Sequence, residues 1–183
     1  TLEEYYKQEN LDYKKLIEIF DKNRSKNSFL NLDLEIWKKK LKTFIDLENK
    51  RFEDSYKIVD LEKSFLIEFE NIKLRGTIDR IDKLENEYFV LDYKTSSSLK
   101  ISTKRTYENS SDFQLEFYYL AVENLYKTDK IKTFYYDLHN MKLLEEVVLD
   151  EKLLLLSDIF KSFDTNEVNF NKCENTQVCI YCQ

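Results

Sequence analysis

The sequence predicts an α/β (α+β) domain with a mixed central sheet flanked by helices. Apolar residues recur first at helical spacing, then in short β-rich runs, then alternate between the two, in the order ααβββαββα. The link Leu84 to Glu87 is too short for a crossover and forces its two strands to be antiparallel neighbours. The 183 residues, 42% hydrophobic and 35% charged, suit one globular domain able to bury a core without disulfides.

Leu2 to Phe20 carries Leu2, Tyr5, Tyr6, Tyr13, Leu16, Ile17 and Phe20 at helical spacing, and Asp33 to Phe52 repeats the pattern around Ile36, Trp37, Leu41, Phe44, Ile45 and Leu47. Each predicts an amphipathic helix, with a polar loop from Lys22 to Asn31 between them. The next runs, Tyr56 to Phe69, Lys73 to Lys83 and Glu87 to Thr95, predict three sequential strands, with turns at Asn71 and at Glu85-Asn86. After a polar segment, Ser96 to Ser111, a helix is expected over Asp112 to Tyr126. Lys130 to Leu138 and Lys142 to Leu149 read as strands about a turn at His139-Asn140, and Glu151 to Phe163 as a closing helix.

Composition narrows the functional classes. No apolar run approaches the ~20 residues of a bilayer crossing. Thr1 to Tyr6 carries two acids where a secretory signal carries bases, so a cytoplasmic location is expected. The formal net charge of −6 weighs against a free-standing nucleic-acid binder, though a site for divalent cations must itself gather carboxylates. Starting at Thr1 and stopping at Gln183, the chain reads as one domain, residues 1–183, cut from a longer protein.

The chemistry-bearing stretches are Gly76-Thr77-Ile78-Asp79-Arg80-Ile81-Asp82 and Leu91-Asp92-Tyr93-Lys94-Thr95. The two-residue strand period puts Asp92 and Lys94 on one face and Tyr93 on the other. Two carboxylates beside a lysine suit phosphodiester hydrolysis assisted by Mg²⁺ or Mn²⁺: oxygens for a hard metal ion, and a nearby side-chain cation to orient the attacking water or stabilise developing charge. Spacing alone also fits an exposed face with a chance ion pair. About Glu85-Asn86, Asp79 is expected opposite Asp92 only with a one-residue shift or a bulge. Gly76, the only glycine, marks a bulge or the close approach of another backbone.

These two stretches, followed by Gln114-Leu115-Glu116-Phe117-Tyr118, resemble the nuclease domain of the AddB and RecB group of helicase-nucleases, within the PD-(D/E)xK superfamily. The resemblance covers Leu61 to Tyr126 closely and the remainder in outline. It implies a restriction-endonuclease-like core and a metal-dependent deoxyribonuclease, expected to act as an exonuclease. The protein would be the nuclease module of an AddB-like subunit in double-strand-break repair and recombination. Its partners would be DNA and a helicase subunit. Asp79, Asp92 and the Tyr93 carbonyl would hold Mg²⁺ or Mn²⁺, Lys94 would be the catalytic lysine, and Gln114 and Tyr118 the accessory pair. Without the family, Gln114 reads as a helix-surface residue and Tyr118 as a core aromatic. The alternatives are a free-standing RecB-like or CRISPR-associated exonuclease and a catalytically inactive DNA-binding or structural domain of the same fold.

Further residues bear on the match. Glu62 is a possible extra carboxylate facing the metals, with a structural role or a pairing with a base preferred. Lys100, Lys104 and Arg105 read as a solvated loop that could meet DNA phosphates. The group's metal-assisting histidine would precede Thr1, and the only histidine, His139, reads as a surface residue at a turn. Cys179-Ile180-Tyr181-Cys182 resembles the CxxC step of the group's 4Fe-4S site, with Cys173 nearby; free thiols are expected here and a cluster only in a full-length parent.

Overall fold

The computed structural model describes residues 2–7, 12–22 and 28–163. In chain order the elements are α1 (Leu2–Tyr6), α2 (Tyr13–Lys22), α3 (Ser28–Glu53), β1 (Lys57–Phe69), β2 (Ile72–Leu84), β3 (Glu87–Lys94), α4 (Gln114–Tyr126), β4 (Ile131–Asp137), β5 (Lys142–Glu145) and α5 (Leu149–Ser162). From the first strand onward the expected order holds, but three helices rather than two precede it. The stretch read as one helix over Leu2 to Phe20 forms two, because Asp12 begins a new helix: its Oδ1 accepts the Lys15 N–H at 2.8 Å. Helix α3 starts at Ser28, inside the expected loop. Strand β5 stops at Glu145 rather than Leu149, because Glu146 turns inward to Lys152, 3.0 Å away, and Val148 is buried at the start of α5.

The sheet has the order β1-β2-β3-β4-β5 and is mixed. Strands β1, β2 and β3 are antiparallel neighbours, β3 and β4 run parallel, and β5 returns antiparallel. Parallel pairing of β3 with β4 requires a crossover, which α4 supplies. The β1–β2 turn places Glu70 and Asn71 at φ 47° and 61°, the left-handed pair of a tight type I′-like hairpin.

Helices cover both faces of this sheet. On one side Leu115, Tyr118, Ala121 and Val122 of α4 pack on Ile81 and Val90. On the other, Tyr5, Leu16, Leu41, Phe44 and Ile45 of α1 to α3 pack against Tyr136. Burying each large apolar side chain contributes about 1.5–3 kcal/mol. The faces exchange along β1 and β2. Phe65 and Ile67 pack on the α4 side, whereas Leu61, of the same parity, packs on the other. The exchange falls at Glu62, whose φ of 47° interrupts the regular alternation.

Candidate active site

The sequence expectation about strand register is corrected by the structure. Pairing runs Leu84↔Glu87 to Arg80↔Leu91 with no shift, so the next residue on each strand is Asp79 and Asp92. A two-residue turn at Glu85-Asn86, with Glu85 at φ 52°, brings these acids level without a bulge. Beyond Arg80↔Leu91 the backbone ladder between the two strands stops, and the Asp79 side chain takes over, its Oδ2 accepting the Tyr93 N–H at 2.9 Å.

Asp92 and Lys94 share the face toward α4, as the strand period predicts, while Tyr93 packs on the opposite side. Helix α4 then presents Gln114 to both of them and Tyr118, one turn on, to Asp92. Gln114 Nε2 donates to Asp92 Oδ1 at 2.8 Å and to the Tyr118 hydroxyl at 2.8 Å, and Gln114 Oε1 accepts from Lys94 Nζ at 2.6 Å. Tyr118 donates to the Thr77 carbonyl at 2.8 Å and lies 3.3 Å from Asp92 Oδ1. Four of the five catalytic side chains read from the sequence, Asp92, Lys94, Gln114 and Tyr118, therefore meet in one hydrogen-bonded array, while Asp79 accepts the Tyr93 N–H beside it.

The array is fixed from behind by residues that sequence reasoning did not single out. Asp112 Oδ1 accepts the Gln114 N–H at 3.0 Å, and Asp112 Oδ2 accepts the Tyr135 hydroxyl at 2.6 Å, tying the start of α4 to β4. Lys94 Nζ stands 5.1 Å from the centre of the Tyr135 ring, a cation–π contact. An acid two residues before Gln114, at a helix start, was the legible signal for Asp112.

Electrostatics within the array are unbalanced. Burial raises the Asp92 carboxyl above its ordinary range, Lys94 pulls against that shift, and the Asp79 charge adds to it. Lys94 Nζ is 2.8 Å from Asp92 Oδ2, yet the alignment is poor and that buried oxygen has no well-directed donor. Burial also raises the Tyr118 hydroxyl, which therefore stays neutral and donates.

A divalent cation fits this donor set. Asp92 offers an oxygen with no well-directed donor, and its charge and that of Asp79 repel across the strands; both features favour a hard cation with oxygen ligands. Among the described residues no group of three or more His, Cys, Asp or Glu side chains is arranged to hold an ion. The available set is thus two carboxylates and the peptide between Asp92 and Lys94, which suits Mg²⁺, an ion that keeps several waters.

Other sequence candidates fall around this centre or away from it. Glu62 lines a cavity of about 280 Å³ together with Asp79, Tyr93, Glu3 and Tyr6, and partial burial plus the Asp79 charge raise its carboxyl. Lys100, Lys104 and Arg105 are exposed in the segment between β3 and α4. Gly76 permits the approach of the Phe65 ring rather than of another backbone. His139 lies at the expected turn but is half-buried, with Lys40 donating to its carbonyl at 2.8 Å. Cys173, Cys179 and Cys182 lie outside the described residues.

The mixed five-stranded sheet with its flanking helices, and acids brought level at the point where β2 and β3 part, define a restriction-endonuclease-like nuclease core. The chain belongs to the PD-(D/E)XK nuclease superfamily, which it matches over residues 1–183. A search of curated proteins found no match. No described helix is long and apolar enough to cross a membrane.

Proposed function

We propose that this protein is a metal-dependent deoxyribonuclease that hydrolyses phosphodiester bonds as an exonuclease. In this reading residues 1–183 form the single nuclease module of an AddB-like subunit, cytoplasmic, working with a helicase partner on DNA ends in double-strand-break repair and recombination. The observation that carries the catalytic reading is the Asp92–Lys94–Gln114–Tyr118 array, set level with Asp79. The AddB-like placement rests on the likeness of the Gly76-to-Asp82, Leu91-to-Thr95 and Gln114-to-Tyr118 stretches to that group.

Asp79, Asp92 and the Tyr93 carbonyl would hold Mg²⁺ or Mn²⁺. When bound, the ion supplies Lewis-acid stabilisation of the phosphoryl oxygens and a water of lowered pKa. Lys94, steered by the Gln114 oxygen and by Asp92, orients the attacking water or offsets developing charge. Gln114 keeps the Asp92 carboxylate turned toward its task by donating to one oxygen, with the Tyr118 hydroxyl 3.3 Å from that same oxygen, and leaves the other for the cation. Cys179 and Cys182, with Cys173, would contribute part of an iron-sulfur site in a longer parent only.

End-labelled single- and double-stranded DNA incubated with the protein and Mg²⁺ or Mn²⁺ tests the reading. Cleavage that disappears with EDTA, and in both Asp92→Ala and Lys94→Ala, is the expected result. Folded protein that binds DNA but leaves every end intact would overturn it in favour of a catalytically silent DNA-binding domain.

A further inference from the structure

The face of the sheet behind the candidate metal site carries a buried polar network that the hydrolytic reading does not use. Strand alternation sends Arg80, the residue after Asp79, and Tyr93, the residue after Asp92, to that face. The Arg80 side chain is fully buried, as are those of Glu48 and Asp82. Its Nε and Nη2 grip Asp82 through both oxygens at 2.6 and 2.7 Å, and its Nη1 pairs with Glu48 and donates to the Tyr93 hydroxyl at 3.2 Å. Tyr6 completes the circuit: its hydroxyl donates to Glu48 at 2.6 Å and receives the Tyr93 hydroxyl at 3.3 Å, and its ring lies 4.5 Å from the guanidinium. Arg51, from α3, braces Asp82 at 2.8 Å.

Stability alone is a poor reason for this arrangement. Replacing a buried ion network with apolar residues of similar volume is often neutral or stabilising, because desolvation offsets most of the attraction. Its position suggests a different role. The backbone ladder between β2 and β3 ends at Arg80↔Leu91, one residue short of the two acids. Past that point side chains hold the strands together on both sides of the Tyr93 residue: the Asp79 carboxylate on its N–H, and Arg80 on its hydroxyl.

We propose that Arg80 and Tyr93 are positioning residues for the candidate metal site, fixing from the back face the peptide whose carbonyl is the third ligand and the spacing of Asp79 and Asp92. The proposal rests on the metal-dependent nuclease reading. Arg80 does not touch the substrate or the ion in this scheme. It holds Tyr93, and Tyr93 places its own peptide. Glu48, Tyr6 and Asp82 hold Arg80, which links α1 and α3 to the geometry of the site.

The test is direct Mn²⁺ binding to the full chain without DNA, by titration calorimetry and the loss of the free Mn²⁺ electron-paramagnetic-resonance signal, with cleavage rates followed across Mn²⁺ concentration. Tyr93→Phe removes one hydroxyl and keeps the packing; Arg80→Lys keeps the charge and loses the fork. Both are expected to weaken Mn²⁺ binding about tenfold, to raise the Mn²⁺ needed for half-maximal cleavage in proportion, and to leave the KM for DNA unchanged. If Arg80→Lys does not fold, Tyr93→Phe decides alone. A folded Tyr93→Phe protein that binds Mn²⁺ like the wild type overturns the positioning role and leaves the nuclease reading standing. Wild-type protein whose Mn²⁺ binding is indifferent to Asp92→Ala overturns the metal-site reading and this proposal with it.

Discussion

Gln114 accepts the Lys94 ammonium on its Oε1 at 2.6 Å, and that contact settles which way the carboxamide is turned. Lysine has no acceptor, so the amide oxygen must face it, and the amide nitrogen is left for Asp92 and Tyr118. One side chain thereby sets the separation between the candidate metal ligand and the candidate catalytic lysine.

Gln114→Glu keeps the shape and the acceptor for Lys94 but turns the donor beside Asp92 into a second anion. The Asp92 carboxyl, already raised by burial, then loses a hydrogen bond and gains a repulsion. Cleavage at saturating Mn²⁺ is expected to fall about 10- to 100-fold, with folding stability changed by less than about 1 kcal/mol because the side chain is only half-buried. Single-turnover rates and a thermal melt on the same preparation check this. An unchanged rate would mean that Gln114 does not set the site.

Tyr118→Phe isolates a hydroxyl. Its loss strands the Thr77 carbonyl and removes one neighbour of Asp92 Oδ1. A missing hydrogen bond of this kind costs on the order of 1 kcal/mol, so denaturant titration should record a modest loss. The cleavage rate should drop about tenfold, less than for Gln114→Glu, because Gln114 still donates to Asp92. A larger kinetic effect than that of Gln114→Glu would reverse the ranking of the two residues.

Much of the fold was legible because the apolar period switches cleanly between helix and strand, and the face of Asp92 and Lys94 follows from β3 being regular. The level pairing of Asp79 with Asp92 was legible too, since the two acids lie equally far from the expected Glu85-Asn86 turn and the structure needs no shift there. Two features were not legible for physical reasons. The break between α1 and α2 depends on Asp12 acting as a cap, which apolar spacing on either side of it does not register. The Arg80 network depends on Glu48 and Tyr6, which lie far from Arg80 in sequence and meet it only once the helices pack. The Arg80 and Asp82 parity was visible in Asp79-Arg80-Ile81-Asp82, but its partners were not.

Gly76→Ala probes a position where a Cβ crowds a neighbouring side chain. A Cβ there would lie 2.9 Å from two ring atoms of Phe65, itself packed in the core near Tyr118. The ring must move, and overpacking of this kind costs about 1–3 kcal/mol. Pairing the change with Phe65→Leu should restore part of the loss, which a double-mutant cycle by denaturant unfolding measures. Additive effects would show that the ring is not what glycine accommodates.

The buried trio Glu116, Lys152 and Glu146 makes stability depend on pH. Lys152 Nζ lies 2.9 Å from Glu116 and 3.0 Å from Glu146, and all three are buried. One cation serves two carboxylates, so burial pushes the Glu116 carboxyl up to about 7 from 4.5, with Lys152 opposing the rise. In the window between those values the folded state binds a proton that the unfolded state has released. Stability from this group is therefore full below about pH 4.5 and declines as pH rises, with the decline complete somewhat above pH 7. Glu116→Gln should flatten that part of the stability–pH profile. Lys152→Met should destabilise by on the order of 3 kcal/mol at neutral pH, where the two acids lose their shared cation, and by less near pH 5, where the Glu116 carboxyl is protonated. Urea midpoints at pH 5 and pH 8 for the three proteins check the sign, and a Lys152→Met loss as large at pH 5 as at pH 8 would refute the trio as its source.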